Sequence, residues 1–328
     1  MDRANRLLQQ LTALVLGLAA LCGTALGQPY PNRVVRIITP FSAGSGPDSV
    51  LRLLGEKMAK DLGQTVVIDN RPGASGFIAL EAAKRAAPDG YTLVQMDDTH
   101  MALLPHLYKK IPYDVARDFE PVGTLFRTYF FVVVPANSAW NNMNDLVAAA
   151  KAKPGELTYG SWFIGSPGHV GAVLLESATG IRMTHVPFKE TPQVYQSVAS
   201  GDVGWAFGTA GSAGPLYRAG KVKFLAVAAP QRIPGYTDVP TVVESGGPAN
   251  FEVRAWVALH APRGTPAAAV GRINESLAKA LADAEVREKL GVFAFEPYTS
   301  SPAEITREIA ADSKKYAEVV KRAKISID

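Results

Sequence analysis

The first third of the chain alternates short runs of β-branched and apolar residues with stretches of amphipathic spacing. The runs at Val34–Thr39, Val66–Asp69 and Tyr91–Gln95 predict strands, and the stretches at Asp48–Asp61 and Phe77–Ala87 predict helices. Strands that alternate with helices indicate a parallel sheet, whose loops gather at the carboxyl ends of the strands. Ligands of open α/β sheets bind at that edge.

Two apolar runs follow one another at Val122–Phe126 and Tyr129–Val134, which predicts that the chain crosses there into a second domain. The alternation then starts again, and a run at Phe251–Leu259 indicates a return to the first domain. We therefore predict two α/β domains, joined by two crossing strands around a ligand cleft, an arrangement that can close on a ligand. The predicted boundaries are residues 28–125 with 256–328 for lobe 1, and 126–255 for lobe 2.

Three loops of small residues, at 42–48, 70–76 and 161–169, each lead into a predicted helix. The first turn of a helix leaves backbone N–H groups unpaired and carries partial positive charge. A glycine such as Gly44 lets a ligand approach the backbone, and a hydroxyl such as that of Ser42 adds a hydrogen bond. The loops therefore predict a site for a carboxylate or phosphate facing the cleft, with ordinary strand-to-helix turns as the alternative.

Composition narrows the class of protein. The 328 residues are 47% hydrophobic and 20% charged, which is enough apolar content for two domains and too much for a disordered chain. The net charge of +4 is a weak hint of acidic ligands. Because the lysines and arginines are scattered, the sequence carries no nucleic-acid footprint.

Residues 1–27 have the pattern of a secretory signal peptide. Arg3 and Arg6 form a basic start, an apolar run spans Leu11–Leu21, and the segment ends on small residues. The apolar run is too short to predict a membrane span. The only cysteine, Cys22, lies inside this segment. We therefore expect a mature chain outside the cytoplasm, with no disulfide bond and no cysteine-ligated metal.

Catalysis has one weak candidate in the sequence. His169 follows Ser166 by three residues, but no Gly-x-Ser-x-Gly elbow is present, so a secreted hydrolase is only the alternative to a binding protein. No His-x-x-x-His pair or acidic cluster has the spacing of metal ligands, and the first loop lacks the third glycine of a dinucleotide fingerprint. We expect neither a metal nor a cofactor.

Four polar residues are predicted to have ordinary structural places. Asp97 and Asp98 are expected to be solvated carboxylates on a loop. His185 and His260 occupy strand-like positions, where a buried histidine with satisfied hydrogen bonds is the usual outcome.

The aromatic residues divide between core and cleft. Trp205 and Phe207 lie on a predicted strand, so we expect them in the core. Trp162 and Phe163 lie on the third loop, where they can form an apolar wall of the cleft.

Five blocks of sequence stand out in series, and they are Pro40–Asp48, Asn70–Gly76, Ala87–Leu93, Val186–Lys189 and Ala261–Pro266. Together they resemble the Bug (Bordetella uptake gene) family, the extracytoplasmic solute receptors of tripartite tricarboxylate transport systems. The blocks keep their order over essentially the whole mature chain, so the series is far more specific than any single block. The resemblance implies a two-lobed periplasmic binding protein fold, a small carboxylate ligand and no enzymatic activity.

The resemblance also implies where the ligand binds. Backbone amides and hydroxyls of the first two loops would hold the carboxylate, often through ordered water, and the third loop would complete the cleft. Asp48 is assigned to the helix N-cap instead. Combined with the loop residues discussed above, the ligand-binding candidates are Ser42, Ala43, Gly44, Ser45, Gly73, Ala74, Ser75, Gly76, Thr99, Ser161, Trp162, Gly165, Ser166, His169 and Lys189.

Two departures from the family pattern bear on the ligand. After the strand Val203–Phe207 the family often carries an aspartate, but this chain has Gly208 and Thr209, which argues against an ammonium group on the ligand. Trp162 and Phe163 stand where smaller residues are usual. We therefore predict an aromatic or aliphatic carboxylate that lacks an amino group.

The resemblance implies partners as well. Membrane transport subunits of a tripartite tricarboxylate-type system would receive the ligand, and receptors of this size usually act as monomers. A sensor that presents the ligand to a membrane kinase is a further alternative, which the sequence does not separate from a transport receptor.

Overall fold

The structure, a computed structural model, describes residues 30–323, so the predicted signal peptide with Cys22 lies outside the described residues. Within this range none of the helices is both long enough and apolar enough to span a membrane. The strands are β1 (Val35–Thr39), β2 (Val66–Asn70), β3 (Thr92–Asp97), β4 (Phe119–Tyr129), β5 (Phe131–Pro135), β6 (Thr158–Ser161), β7 (Thr184–Pro187), β8 (Trp205–Gly208), β9 (Val222–Val227), β10 (Arg254–Pro262) and β11 (Phe295–Pro297).

Helices follow most of these strands. They are α1 (Gly46–Leu62), α2 (Phe77–Lys84), α3 (Leu104–Leu107), α4 (Val115–Asp118), α5 (Met143–Ala152), α6 (Pro167–Thr179), α7 (Thr191–Ser200), α8 (Ala210–Arg218), α9 (Ala267–Ala282), α10 (Ala284–Val292) and α11 (Pro302–Ala323). A short 3₁₀ turn at Ala74–Gly76 precedes α2, and a π-turn at Thr99–Leu103 precedes α3.

The first sheet has the strand order β11-β4-β10-β3-β1-β2. β1 pairs in parallel with β2 and β3, and Ile37 lies opposite Ile68 and Leu93. β10 runs antiparallel to both β3 and β4, and β11 runs antiparallel to β4. The predicted parallel pairing is confirmed for β1, β2 and β3, whereas β10 and β11, which that prediction did not include, are antiparallel because β10 enters from the second sheet rather than over a helical crossover.

The second sheet has the order β7-β6-β8-β5-β9. β6 pairs in parallel with β7 and β8, whereas β5 is antiparallel to β8 and β9. The chain passes between the sheets from Tyr129 to Phe131 and returns at Arg254. We propose that the lobes divide at these two crossings, which lie a few residues from the predicted boundaries.

Each sheet is packed on both faces. In the first lobe α1 and α9 cover one face around Leu54 and Phe126, and α2 and α11 cover the other around Trp256. Trp205 and Phe207 are buried in the core of the second lobe, which confirms their prediction as core residues. The architecture confirms the predicted fold class of two α/β lobes around a cleft.

Two helices, α4 and α8, and the strand β11 were absent from the prediction. α8 carries three glycines or prolines, with Pro215 inside the helix, a composition typical of a loop. β11 has three residues and packs Phe295 in a stack against Phe126, with the ring centroids 4.3 Å apart. Long-range packing, rather than local propensity, stabilises α8 and β11.

Candidate ligand-binding site

Three small cavities lie between the lobes, and one of them, of about 60 Å³, is lined by the predicted Thr99 together with Pro167 and Val170. The other two are called the outer and the inner cavity. The outer cavity, of about 100 Å³, is lined from the first lobe by Ser42 and the 72–76 loop, and from the second by Trp162, Lys189 and Thr191. Of the predicted candidates, it brings together Ser42, Gly73, Ala74, Ser75, Gly76, Trp162 and Lys189. The inner cavity, of about 30 Å³, contains the predicted Ser45 and Trp162. The remaining candidates line neither the outer nor the inner cavity, and they are Ala43, Gly44, Thr99, Ser161, Gly165, Ser166 and His169.

The two lobes hydrogen-bond to each other across the cleft. The backbone N–H of Gly46 donates to Ser212 Oγ at 3.0 Å, and Ser75 Oγ donates to the carbonyl oxygen of Ile164 at 3.3 Å. These contacts explain why the cavities are small, because the structure shows the lobes closed against each other.

Four helices begin at the inner cavity. Ser45 is the N-cap of α1, Pro167 and Thr191 are the first residues of α6 and α7, and Thr209 is the N-cap of α8. All four residues line the cavity. Because a helix N-terminus carries partial positive charge, this convergence favours a negative group in the cleft.

The first loop uses most of its polar groups to hold its own shape. Ser45 caps α1 by accepting from the N–H of Asp48, so the helix begins at Gly46 and Asp48 is not its N-cap, contrary to the prediction. The Asp48 carboxylate instead accepts from the N–H of Gly44 at 2.9 Å. The Gly44 amide is therefore already paired, which leaves Ser42 as the residue by which this loop reaches the outer cavity.

The second loop presents unpaired amides. The N–H groups of Gly73, Ala74 and Ser75 have no hydrogen-bond partner among residues 30–323, and all three residues line the outer cavity. Ala74 and Ser75 have φ angles of 47° and 52°, a left-handed conformation that costs free energy in residues with a side chain. Successive N–H groups in such a conformation form a concavity that binds anions.

Gly76 closes this loop against a buried histidine. Its φ is +85°, and a Cβ at this position would overlap the imidazole of His100, within 2.6 Å of Cδ2. Gly63 has a similar φ of +66° but open space around the same point, so it offers a matched control.

We expect Gly76→Ala to destabilise the protein by about 2 to 4 kcal/mol, since overpacking adds to the cost of the left-handed conformation. Gly63→Ala should cost only about 1 kcal/mol. Urea unfolding measures both values, and equal losses for the two variants would show that the His100 contact is unimportant.

The third loop is held by hydrogen bonds within the second lobe. Ser161 Oγ donates to the carbonyl oxygen of Phe163 and lies 2.7 Å from His185 Nε2. Trp162 stacks on Phe130, with the ring centroids 5.8 Å apart, and forms a wall of both cavities. Ser161 therefore positions the loop, whereas Trp162 and Phe163 face the cleft.

The residues of the hydrolase alternative do not form a nucleophile and base. Ser166 Oγ accepts from the backbone N–H of His169, as the N-cap of α6. The ring of His169 is engaged elsewhere, because its Nδ1 accepts from the N–H of Gly165 at 3.0 Å. Burial lowers the pKa of His169 to about 4, so the ring is neutral near pH 7.

Lys189 supplies a positive charge at the mouth of the cleft. Its side chain is exposed, lines the outer cavity together with Gly73 and Ala74, and makes no ion pair with another described residue. An ammonium group that faces three unpaired amides is suited to hold a carboxylate from the side of the second lobe.

The structure corrects the prediction that the acidic pair at the end of β3 is solvated. Asp97 and Asp98 are buried rather than solvated. Asp97 Oδ1 lies 2.5 Å from His100 Nδ1, and Tyr316 donates to Asp98 Oδ2 at 2.6 Å. Burial, and then the charge of Asp97, raises the pKa of Asp98 well above its usual range. The predicted Thr99 is buried beside them, where its hydroxyl has no partner in the described range.

The two strand histidines differ in whether their ring nitrogens have hydrogen-bond partners. His185 hydrogen-bonds to Ser161 and stacks on His169 with the ring centroids 4.2 Å apart, so it has the predicted structural place. His260 is fully buried, but neither of its ring nitrogens has a partner among the described residues. The prediction that its hydrogen bonds are satisfied is therefore wrong.

The aromatic wall of the inner cavity was missed by sequence reasoning. Phe41, Phe126, Phe130 and Tyr195 line it together with Trp162. Phe41 belongs to a block that the resemblance singled out, so its place was accessible from the sequence. The others lie on β4, on the crossing and on α7, where nothing local distinguishes a cleft residue from a core residue.

Comparison with known proteins identifies the family of this chain. The sequence model described as tripartite tricarboxylate transporter family receptor matches residues 50–325. The chain belongs to this family. It is 28% identical to protein BugT of Bordetella pertussis, over 94% of this chain and 94% of that protein. The Bug resemblance is thereby confirmed.

Solved structures of this receptor family show the same fold. R. palustris Rpa4515 with adipate has a TM-score of 0.87 and 32% identity, covering 90% of this chain and 99% of that one. MatC from Rhodopseudomonas palustris with bound malate has a TM-score of 0.84 and 30% identity, covering 89% and 100%. Because the family consists of solute-binding receptors, this tripartite tricarboxylate transporter receptor is not an enzyme, as predicted.

Proposed function

We propose that this chain is a periplasmic receptor that binds a small carboxylate between its lobes and delivers it to the membrane subunits of a tripartite tricarboxylate-type transporter. The observation that carries the proposal is the row of unpaired amides at Gly73, Ala74 and Ser75, which faces Lys189 across the outer cavity. A carboxylate placed there accepts from the amides on one side and from the ammonium group on the other. Exclusion of water strengthens these charge-assisted hydrogen bonds.

We infer that the ligand has an apolar or aromatic body and no amino group. Beyond Trp162 the cleft continues into the aromatic inner cavity, which suits a carbon chain or ring. Thr209 hydrogen-bonds to Ser212 and supplies no carboxylate for an ammonium group, and the Asp97 carboxylate, which also lines this cavity, is held through Oδ1 by His100. The adipate and malate of the two related structures also lack an amino group.

The proposal also includes the cellular location of the chain and its oligomeric state. We propose that the chain acts as a monomer, as the resemblance implies for receptors of this size. The basic and apolar segment of residues 1–27 supports export to the periplasm.

A thermal-shift screen of residues 28–328 tests the ligand class. Adipate, malate, benzoate and citrate should be compared with aspartate and glutamate at equal concentration. A ligand at 100 times its Kd stabilises the native state by about 2.7 kcal/mol, which raises Tm by several degrees. We expect a concentration-dependent rise with one class of acids that lack an amino group. A rise confined to aspartate and glutamate would contradict the inference.

Lys189→Gln should weaken carboxylate binding about tenfold, because an exposed charged hydrogen bond is lost while the amides remain. Stability should not change, since the side chain is exposed. Lys221→Gln is the matched control, as Lys221 is also exposed but lines neither interlobe cavity. Calorimetric titration measures the affinities, and an equal Kd for both variants would remove Lys189 from the site.

A further inference from the structure

A separate cavity of about 580 Å³ lies in the first lobe, outside the interlobe cleft. It opens to solvent on one side, and it is lined by α11, by β4 and β10, and by the segment that links the end of β3 to β4. Its walls are mostly apolar and include Met101, Ile111, Tyr113, Phe119 and Ile309. Ligand sites in proteins have volumes of this order and walls of this kind.

His260 is the buried histidine that lines this cavity, whereas the charged residues of the lining, Lys109, Asp114 and Arg263, lie at its exposed rim. The ring is fully buried, and both of its nitrogens are without a hydrogen-bond partner in the part of the chain that the structure describes. Burial lowers the pKa of His260 to about 3, so the ring is neutral near pH 7. A neutral imidazole carries one N–H donor and one acceptor, and leaving both unpaired in a core costs free energy.

The strand that carries His260 is irregular at this residue. The pairing of β10 with β4 shifts register between Leu259 and His260. Bulges of this type re-aim a side chain, and they are frequent beside functional sites. The bulge and the unpaired ring therefore coincide at the same end of the cavity.

We propose that this cavity is a second ligand site, which takes a small uncharged aromatic molecule whose single hydroxyl group hydrogen-bonds to His260. The apolar walls favour a ring, and a charged group would lose its hydration beside an imidazole that stays neutral. Met101 lies beside the floor of the cavity, and its flexible side chain can move to let the hydroxyl reach the ring. The site does not rest on the carboxylate cleft.

p-Cresol is the probe, and toluene is the matched control that lacks the hydroxyl group. Titration of the full mature chain with methyl-labelled Met and Ile is followed by NMR. We expect saturable shifts of the Met101 and Ile309 methyl groups with p-cresol, and affinity for toluene lower by about three- to tenfold, the worth of one hydrogen bond. Shifts confined to residues of the interlobe cleft would overturn the proposal.

Two variants distinguish the contribution of the cavity to the affinity from that of the hydrogen bond. His260→Phe should reduce p-cresol affinity to that of toluene, whereas Ala310→Trp, at an exposed position of the cavity wall on α11, should abolish binding of both molecules. Ala310→Trp leaves the core untouched, so it keeps the test valid if His260→Phe fails to fold. Unchanged p-cresol binding in Ala310→Trp would refute the site.

Discussion

Asp48→Ala is expected to lower the free energy of unfolding by about 3 kcal/mol and to abolish carboxylate binding. The buried Asp48 carboxylate accepts from the N–H of Gly44 at 2.9 Å, from Asn70 Nδ2 at 2.7 Å and from Arg52 Nε at 3.0 Å. It thus joins the first loop to the second. Alanine would remove all three hydrogen bonds at once, and each lost bond costs about 0.5 to 1.5 kcal/mol at these partly exposed donors. Urea unfolding and calorimetric titration measure the two effects.

Asp114→Ala is the control for Asp48→Ala. Asp114 also accepts a backbone hydrogen bond at the start of a helix, from the N–H of Arg117, but it is exposed and away from the cleft. Asp114→Ala should lower the free energy of unfolding by about 1 kcal/mol, as the loss of a helix cap does, and should leave carboxylate binding unchanged. If Asp48→Ala behaved in the same way, the two loops would not depend on each other through this carboxylate.

The cleft loops were predictable because their signals are local. Small residues before an amphipathic stretch mark the start of a helix, and these positions led directly to Ser42 and to the loop that carries Gly73. The sequence also held the signal for the true cap, since Ser45 and Asp48 have the spacing of a capping box. That spacing would have assigned the N-cap to Ser45, and it would have assigned to Asp48 the carboxylate that accepts from a backbone N–H before the helix.

The errors come from contacts between distant parts of the chain. Asp97 and Asp98 follow a strand and look solvated, but α11 returns from the end of the chain and buries Asp98 against Tyr316. β10 runs antiparallel for a similar reason, since it re-enters the first sheet from the second lobe. No local pattern of polarity records which later segment will cover a loop, so such burial cannot be obtained from periodicity alone.

The aromatic wall of the cleft shows the same limit. Phe126 and Phe130 belong to an apolar run that predicts only a buried strand, yet both line the inner cavity. The walls of a cleft between two lobes are formed by apolar side chains at the edges of the two hydrophobic cores. In the sequence, such side chains have the same apolar pattern as core residues. Geometry alone separates the two roles.

Stability is expected to fall steeply as the pH decreases from 6.5 to 5. Burial lowers the pKa of His169 to about 4 and that of His260 to about 3, and burial followed by the charge of His169 lowers that of His185 to about 3. In the unfolded chain each histidine titrates near 6.5. Below that pH the unfolded state binds protons that the folded state does not, so folding loses up to about 1.4 kcal/mol per pH unit for each histidine.

The three histidines together should therefore remove several kcal/mol by pH 5, offset in part by Asp98, whose raised pKa lets the folded state bind a proton that the unfolded carboxyl group does not. Urea unfolding at pH 7.5, 6.5, 5.8 and 5.0 measures the slope. His260→Leu should make the slope shallower by the contribution of one histidine, up to about 1.4 kcal/mol per pH unit, because it removes one neutral histidine and leaves the His169–His185 stack in place. A slope that His260→Leu does not alter would mean that the buried ring accepts a proton in the folded protein.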